Sequence, residues 1–249
     1  MLPRKDTKKR FLKLMKDSGK SKTNTDAGAT DTSKKKISTN ERVLNFKDFL
    51  NEANVNSVII GIDIDGTISN FEEAYNKTYK KYFPNNEVYP VDEWFWYKKM
   101  DYEGADVGKW FRNIKAETFE NAQPYPGAVN TVNNIYDFAK NKGYTMNIVT
   151  NQPTQEARYA ATFWLNDHGF KYDDITFVDD AKDKWKFADI MVDDAEQVLG
   201  SKPIGKVAIK IEQLWNTSIE GDINIPNIKA LTISVMEKAI SKLVKKSVG

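Results

Sequence analysis

Cysteine is absent from this 249-residue chain, and histidine occurs once, at position 168. Without cysteine there is neither a disulfide framework nor a thiolate metal site, which fits a reducing compartment such as the cytoplasm. Any metal ion must therefore be held by oxygen ligands or by His168. Long apolar runs are missing too. Nothing approaches the ~18–20 residues of a membrane span, so no membrane partner is expected. What the chain does have is core-forming: 40% hydrophobic and 12% aromatic residues. That suffices for one sizeable core, or for one domain with an insertion.

The net charge of +2 conceals an asymmetry. Residues 1–40 carry 12 Lys and Arg against 4 acids, and the remainder 25 against 31. The basic segment is also too polar ("KDSGKSKTNTDAGATDTSKKKISTN") to offset chain entropy by burial. Residues 1–42 are therefore expected to be a disordered basic tail, within which "KKRFLKLMK" has the pattern of a short amphipathic helix. Its role reads as a solubilising extension, the competing expectation being a nucleic-acid-binding arm with weak, salt-sensitive binding to polyanions.

From residue 43 the pattern changes. "RVLNFKDFLNEA" has Val43, Phe46, Phe49 and Leu50 at helical spacing. Ser57–Ile62 is a β-branched run suited to a strand buried on both faces. A helix follows in "PGAVNTVNNIYDFAKNKG", with Ala128, Val132, Ile135, Tyr136 and Ala139 on one face and Gly143 at its end. "YTMNIVT" reads as a strand, and "TQEARYAATFWLNDHG" as a helix with Ala157, Ala160, Ala161, Trp164, Leu165 and His168 on one stripe. Short strands are expected at "DITFV", "DIMV" and "KVAIKI", and a last helix over 231–246. Alternating strands and helices predict an α/β fold, a Rossmann-like doubly wound parallel sheet built from 43–71 and 123–249. Residues 72–122, aromatic and charged, break the alternation and are expected to form an inserted helical cap.

Ligands in such folds collect at the carboxyl ends of the strands. Asp63 and Asp65 lie there, as do Thr150 and the pair Asp193–Asp194. Four carboxylates at one point cannot all ionise without a cation. An oxygen-only donor set suits a hard cation such as Mg²⁺, with Asp63, Asp65, Asp193 and Asp194 as candidate ligands. Asp63 is placed to act as a nucleophile, forming an aspartyl-phosphate. Asp65, past the turn eased by Gly66, is placed as general acid and then base. Thr150 and a lysine from "AKDKWK" can donate to the phosphoryl oxygens.

"DIDGT", the threonine of "IVT", a lysine and "VDD", in this order, resemble the four motifs of the haloacid dehalogenase superfamily, and specifically its phosphatases. "DIDGTISNF", "QPYPGAV", "KFADIMVDD" and "QLWN" (213–216) are similar to segments of the 5′(3′)-deoxyribonucleotidases. The resemblance spans about residues 55–245 and implies a Mg²⁺-dependent phosphomonoesterase acting on (deoxy)nucleoside monophosphates. "FVDDA" (177–181) and "MVDDA" (191–195) both match the last motif. The family spacing, with a lysine roughly nine to eleven residues earlier, selects Asp193–Asp194 with Lys184, ahead of Lys182 and Lys186. It leaves open which aspartate touches the metal. Gly66, Thr67 and Asn151 adjoin the catalytic residues and are candidate substrate contacts. Phe71 is implied as a base-stacking residue, while Trp94 and Trp96 either stack on a base or hold the cap together. His168 is read as structural, a cation at the negative end of a helix.

Two rivals stand beside this reading: a polynucleotide end phosphatase, suggested by the basic tail, and a catalytically idle scaffold, against which the intact Asp63 and Asp65 argue. "FKDFLNEA" (46–53) also resembles the leader segments of some tailed-bacteriophage proteins, cut after a Leu/Ile-x-Glu triplet, here Leu50–Glu52. The competing expectation is an ordinary amphipathic helix packed on the domain.

Overall fold

A computed structural model describes residues 58–247, so the expectations for the tail, the helix beginning at residue 43 and the leader triplet lie outside the described residues. The apolar run at 59–62 forms β1 (Ile59–Ile62), which pairs in parallel with β2 (Thr145–Asn151) on one side and β4 (Ile190–Asp193) on the other. β3 (Asp174–Val178), β5 (Val207–Ile211) and β6 (Ile223–Ile225) complete an all-parallel sheet of order β3-β2-β1-β4-β5-β6. The chain leaves β1 outward in both directions, so the order reverses there and the strand ends open into a crevice.

Side-chain alternation splits the core into two layers. Ile60, Ile62, Ile148, Ile190, Val192 and Ile209 point to one face, where they meet α3 (Ala128–Asn141), α4 (Gln155–Asp167) and α6 (Ile233–Ser247). Val149, Met191 and Ala208 point to the other, which is covered by short elements, a 3₁₀ turn at Ala181–Lys186 and α5 (Glu196–Gly200). That second layer is thin. At Gly61 an added Cβ would come within 2.7 Å of Ala188 Cβ and Met191 Sδ.

The helices follow their apolar stripes, with local adjustments. In α3 the buried residues are Ala128, Val132, Ile135, Phe138 and Ala139, while Tyr136 is half-buried with its hydroxyl 3.4 Å from Asp173. In α4, Ala157, Ala161, Trp164 and Leu165 are buried and Ala160 only partly so. β6 had no counterpart among the expected elements. Its three residues expose Asn224 between Ile223 and Ile225, too short a pattern to stand out.

Between β1 and α3 come α1 (Phe71–Tyr82), a 3₁₀ turn (Trp96–Lys99) and α2 (Val107–Asn121), which starts at an Asp106 cap accepting from Lys109 N–H. Rings hold these pieces together. Tyr75, Tyr79, Tyr102 and Trp110 pack edge to face or tilted, and the Tyr75 and Tyr102 hydroxyls share a 2.9 Å hydrogen bond. α2 reaches the sheet-bound helix α4 where Phe119 meets Trp164, whose indole N–H donates to Ala122 O.

Candidate active site

β2, β1 and β4 lie side by side, and their carboxyl ends deliver Thr150, Asp63 and Asp193–Asp194 to one place. The backbone holds this end firmly: Asp63 N–H donates to Val192 O at 3.1 Å. Asp63, Asp193 and Asp194 each offer an oxygen, and these lie within 4.8 Å of one another. All three side chains are buried.

Lys184 is 2% exposed, and its Nζ lies 2.9 Å from both Asp63 Oδ2 and Asp193 Oδ2. Burial alone would lower the pKa of this ammonium, but Asp193 and Asp63 override it and hold it above the ordinary value. Lys182 and Lys186 are exposed. The two aspartate pairs separate in the same way. Asp179 and Asp180 follow the edge strand β3 and are exposed, with Asp179 paired to Arg158; Asp193–Asp194 close a central strand.

Each carboxylate is partly engaged. Asp193 accepts from Lys184 and from Ala195 N–H, and Asp194 from the Thr67 hydroxyl at 2.9 Å and the Trp215 indole N–H at 3.0 Å. Asp63 Oδ1 has no partner and is shielded from bulk solvent. Burial, reinforced by Asp63, pushes Asp193 up to about 6 against the pull of Lys184. Asp194 is held well above the ordinary carboxylate range by burial, then by Asp193 and Asp63. Such a set favours protons or a cation, and its all-oxygen chemistry fits a hard divalent ion.

Asp65, expected among the ligands, stands apart from this triad. Its Oδ2 is taken by Lys115 Nζ of α2 at 2.9 Å and by Gln152 Nε2 at 3.1 Å. Burial raises its pKa, opposed by Lys115. Gly66, at φ +72°, lets the chain turn against Asp194, and its carbonyl accepts from Gln213 Nε2.

Asp63, Asp65, Lys115, Thr150, Lys184 and Asp194 line a cleft of about 520 Å³, together with Phe71, Glu72, Trp94, Trp96, Tyr97, Phe111, Asn151 and Trp215. That volume is in the usual range for a small-molecule site. Asn151 is fixed by donating to Val178 O and Asp179 O. Phe71 is only 2% exposed, packed among Tyr75, Phe111 and Phe119, so little of its ring faces the cleft. Trp94 is half-buried, and Trp96 is buried against Tyr75 and Tyr97. His168 sits at the end of α4, its Nδ1 2.9 Å from Trp164 O and its ring beside the Trp164 indole.

Sequence reasoning did not single out Lys115, Gln152 or Glu72. Lys115 had a signal: it falls on the α2 stripe of Phe111, Thr118 and Phe119, where a lysine is out of place unless paired. Glu72, next to Phe71, is buried with Tyr125 O–H donating to it, and burial pushes it up to about 8.

The family profile described as 5′ nucleotidase, deoxy (pyrimidine), cytosolic type C protein matches residues 56–230. A Chlorobaculum tepidum protein provisionally named a 5′(3′)-deoxyribonucleotidase is 24% identical over 155 residues, 57% of this chain and 72% of that protein. Among solved structures, a haloacid dehalogenase-like family hydrolase from Streptococcus pneumoniae is similar at a TM-score of 0.49 and 16% identity, over 74% of this chain and 99% of its own. A haloacid dehalogenase-like hydrolase from Xanthomonas campestris follows at 0.46 and 11%, over 76% and 99%.

Proposed function

The chain belongs to the 5′ nucleotidase, deoxy (pyrimidine), cytosolic type C family, and from that premise we propose that it hydrolyses (deoxy)nucleoside monophosphates through an aspartyl-phosphate on Asp63. The observation that carries the mechanism is Asp63 itself, with Oδ2 anchored to Lys184 and Oδ1 buried without a partner in the cleft. Oδ1 attacks phosphorus as the bond from phosphorus to the nucleoside oxygen breaks, and Asp65 gives that oxygen its proton. Water then attacks phosphorus and yields a proton to Asp65, and the bond to Asp63 breaks, releasing phosphate. Lys184 and Thr150 donate to the phosphoryl oxygens as their charge redistributes. Asp63, Asp193 and Asp194 would hold Mg²⁺, which when bound offsets the negative charge of the incoming phosphate. The rings among the cleft's lining residues, Trp94, Tyr97, Phe111 and Trp215, give a base somewhere to lie.

The test is a panel of deoxynucleoside and ribonucleoside 5′- and 3′-monophosphates, sugar phosphates and 3′-phosphorylated oligonucleotides, with Mg²⁺ and with EDTA. Mononucleotides are expected to be cleaved fastest, and EDTA to abolish turnover. Asp63→Asn should lose at least ~10³-fold in kcat with the fold intact. Cleavage of oligonucleotide ends alone would transfer the assignment to polynucleotides, and turnover that survives Asp63→Asn would remove the covalent step.

A further inference from the structure

Lys115 is a buried cation that the proposed chemistry does not use. It projects from α2, 6% exposed, and Phe71 and Phe111 lie beside its ammonium at 5.2 and 5.8 Å. Its Nζ donates to Asp65 Oδ2 at 2.9 Å and to Asn151 O at 3.3 Å, so it links the helix between β1 and α3 to the ends of both β1 and β2. A long, flexible lysine so confined has lost most of its rotamer freedom, and a charge so buried is stable only while paired. Both ends of the pair matter. With Gln152 Nε2 also on Oδ2, both donors approach one oxygen of Asp65, and the other, Oδ1, is left shielded and unpartnered.

We propose that Lys115 is a positioning residue for Asp65: its ion pair clamps Oδ2 so that Oδ1 is the oxygen free to pass the proton. The inference rests on the reading of Asp65 as the acid and base of a phosphomonoesterase. Two donors on one oxygen fix the carboxylate plane, which a single donor would leave free to swing. Because the clamp comes from α2 while Asp65 comes from β1, Asp65 is fully oriented only when α2 is seated over the strand ends. The alternative is that Lys115 grips the substrate phosphate directly. In that case its removal weakens binding, whatever stands at position 65.

A double-mutant cycle separates the two. Lys115→Met keeps the aliphatic stem and removes the charge. On a nucleoside monophosphate it is expected to lower kcat about 10- to 100-fold, with KM within about threefold, since a misplaced group costs turnover and not binding. Lys115→Arg should recover part of that loss, because it restores a donor to Oδ2. In an Asp65→Asn background, Lys115→Met should cost nothing further. Circular dichroism and thermal melting check each variant, and Lys115→Gln serves the same cycle if the methionine variant does not fold. Additive losses in the double variant, a loss confined to KM, or an Asp65→Asn enzyme as fast as wild type each overturn the inference. The first two results leave the functional reading standing so long as the wild type cleaves mononucleotides, and the third also removes Asp65 as its acid and base while leaving the nucleotidase assignment. A wild type inactive on every monophosphate overturns both.

Discussion

Gly66 shows how narrow the tolerances around the carboxylate triad are. Its φ of +72° lies in the left-handed region, which costs a residue with a Cβ roughly 1–2 kcal/mol. A Cβ there would also stand 2.4 Å from Asp194 Oδ2 and 2.8 Å from its Cγ. The carboxylate cannot yield, because Thr67 holds one oxygen and Trp215 the other. Gly66→Ala is therefore expected to lower the melting temperature and to weaken the extra stabilisation that a divalent cation gives, since displaced Asp194 no longer meets Asp63 and Asp193. Thermal melts with and without Mg²⁺ read both effects. A variant that melts lower yet keeps the full response to Mg²⁺ would mean that Asp194 is not a ligand.

Among the elements, α1 serves two regions at once, since its first residue lines the cleft and its inner face belongs to the ring cluster. Phe71 sits where the two meet, with Tyr75, Phe111 and Phe119 at centroid distances of 6.2, 6.3 and 5.8 Å. Phe71→Ala should then cost about 3–5 kcal/mol of stability, as for other fully buried rings. It should slow a nucleotide and a small aryl phosphate to similar degrees, because the loss is packing and not stacking on a base. Urea denaturation and paired kinetics check this, and selective loss of nucleotide turnover with unchanged stability would return Phe71 to the base. The same geometry explains what was legible in the chain. β1 and β4 announce themselves because they are short apolar runs buried along nearly their whole length, whereas β2 (TMNIVTN) is mixed with a buried centre at Ile148–Thr150, and the polar residues that end all three stand out against that background. Asp63, Thr150 and Asp193–Asp194 could be grouped from sequence for that reason. The second "VDD" could be chosen over the first only through motif spacing; the physical difference, central strand against edge strand, exists only once the sheet has its order. Lys115 pairs with Asp65 across 50 positions and two elements, and the rotation of α2 about its axis decides whether they meet. No local period encodes that rotation.

At the scale of the whole molecule, the clustered acids set how stability responds to pH and to cations. No helix among the described residues is long and apolar enough to cross a membrane. In the cation-free protein, Glu72 keeps its proton up to about 8, whereas its ordinary value is 4.5. Asp193 is shifted the same way, from 3.8 to about 6. Between those limits the folded chain holds protons that the unfolded chain has released, so stability falls as pH rises from about 4 to about 8. A divalent cation acts in the opposite direction. Bound to the ionised form of the triad, it would compete with protons there and contribute roughly 2.7 kcal/mol at a hundredfold excess over its Kd. EDTA-treated protein is therefore expected to melt lower at pH 8 than at pH 5, and Mg²⁺ to raise the melting temperature more at pH 8 than at pH 5. Glu72→Gln should remove part of the pH dependence, because a neutral amide has no proton to lose, while leaving the Mg²⁺ increment at pH 8 largely in place. Differential scanning calorimetry across that range decides the matter. A cation-free protein equally stable at both pH values would mean that these carboxylates are not held in the protonated form by their burial.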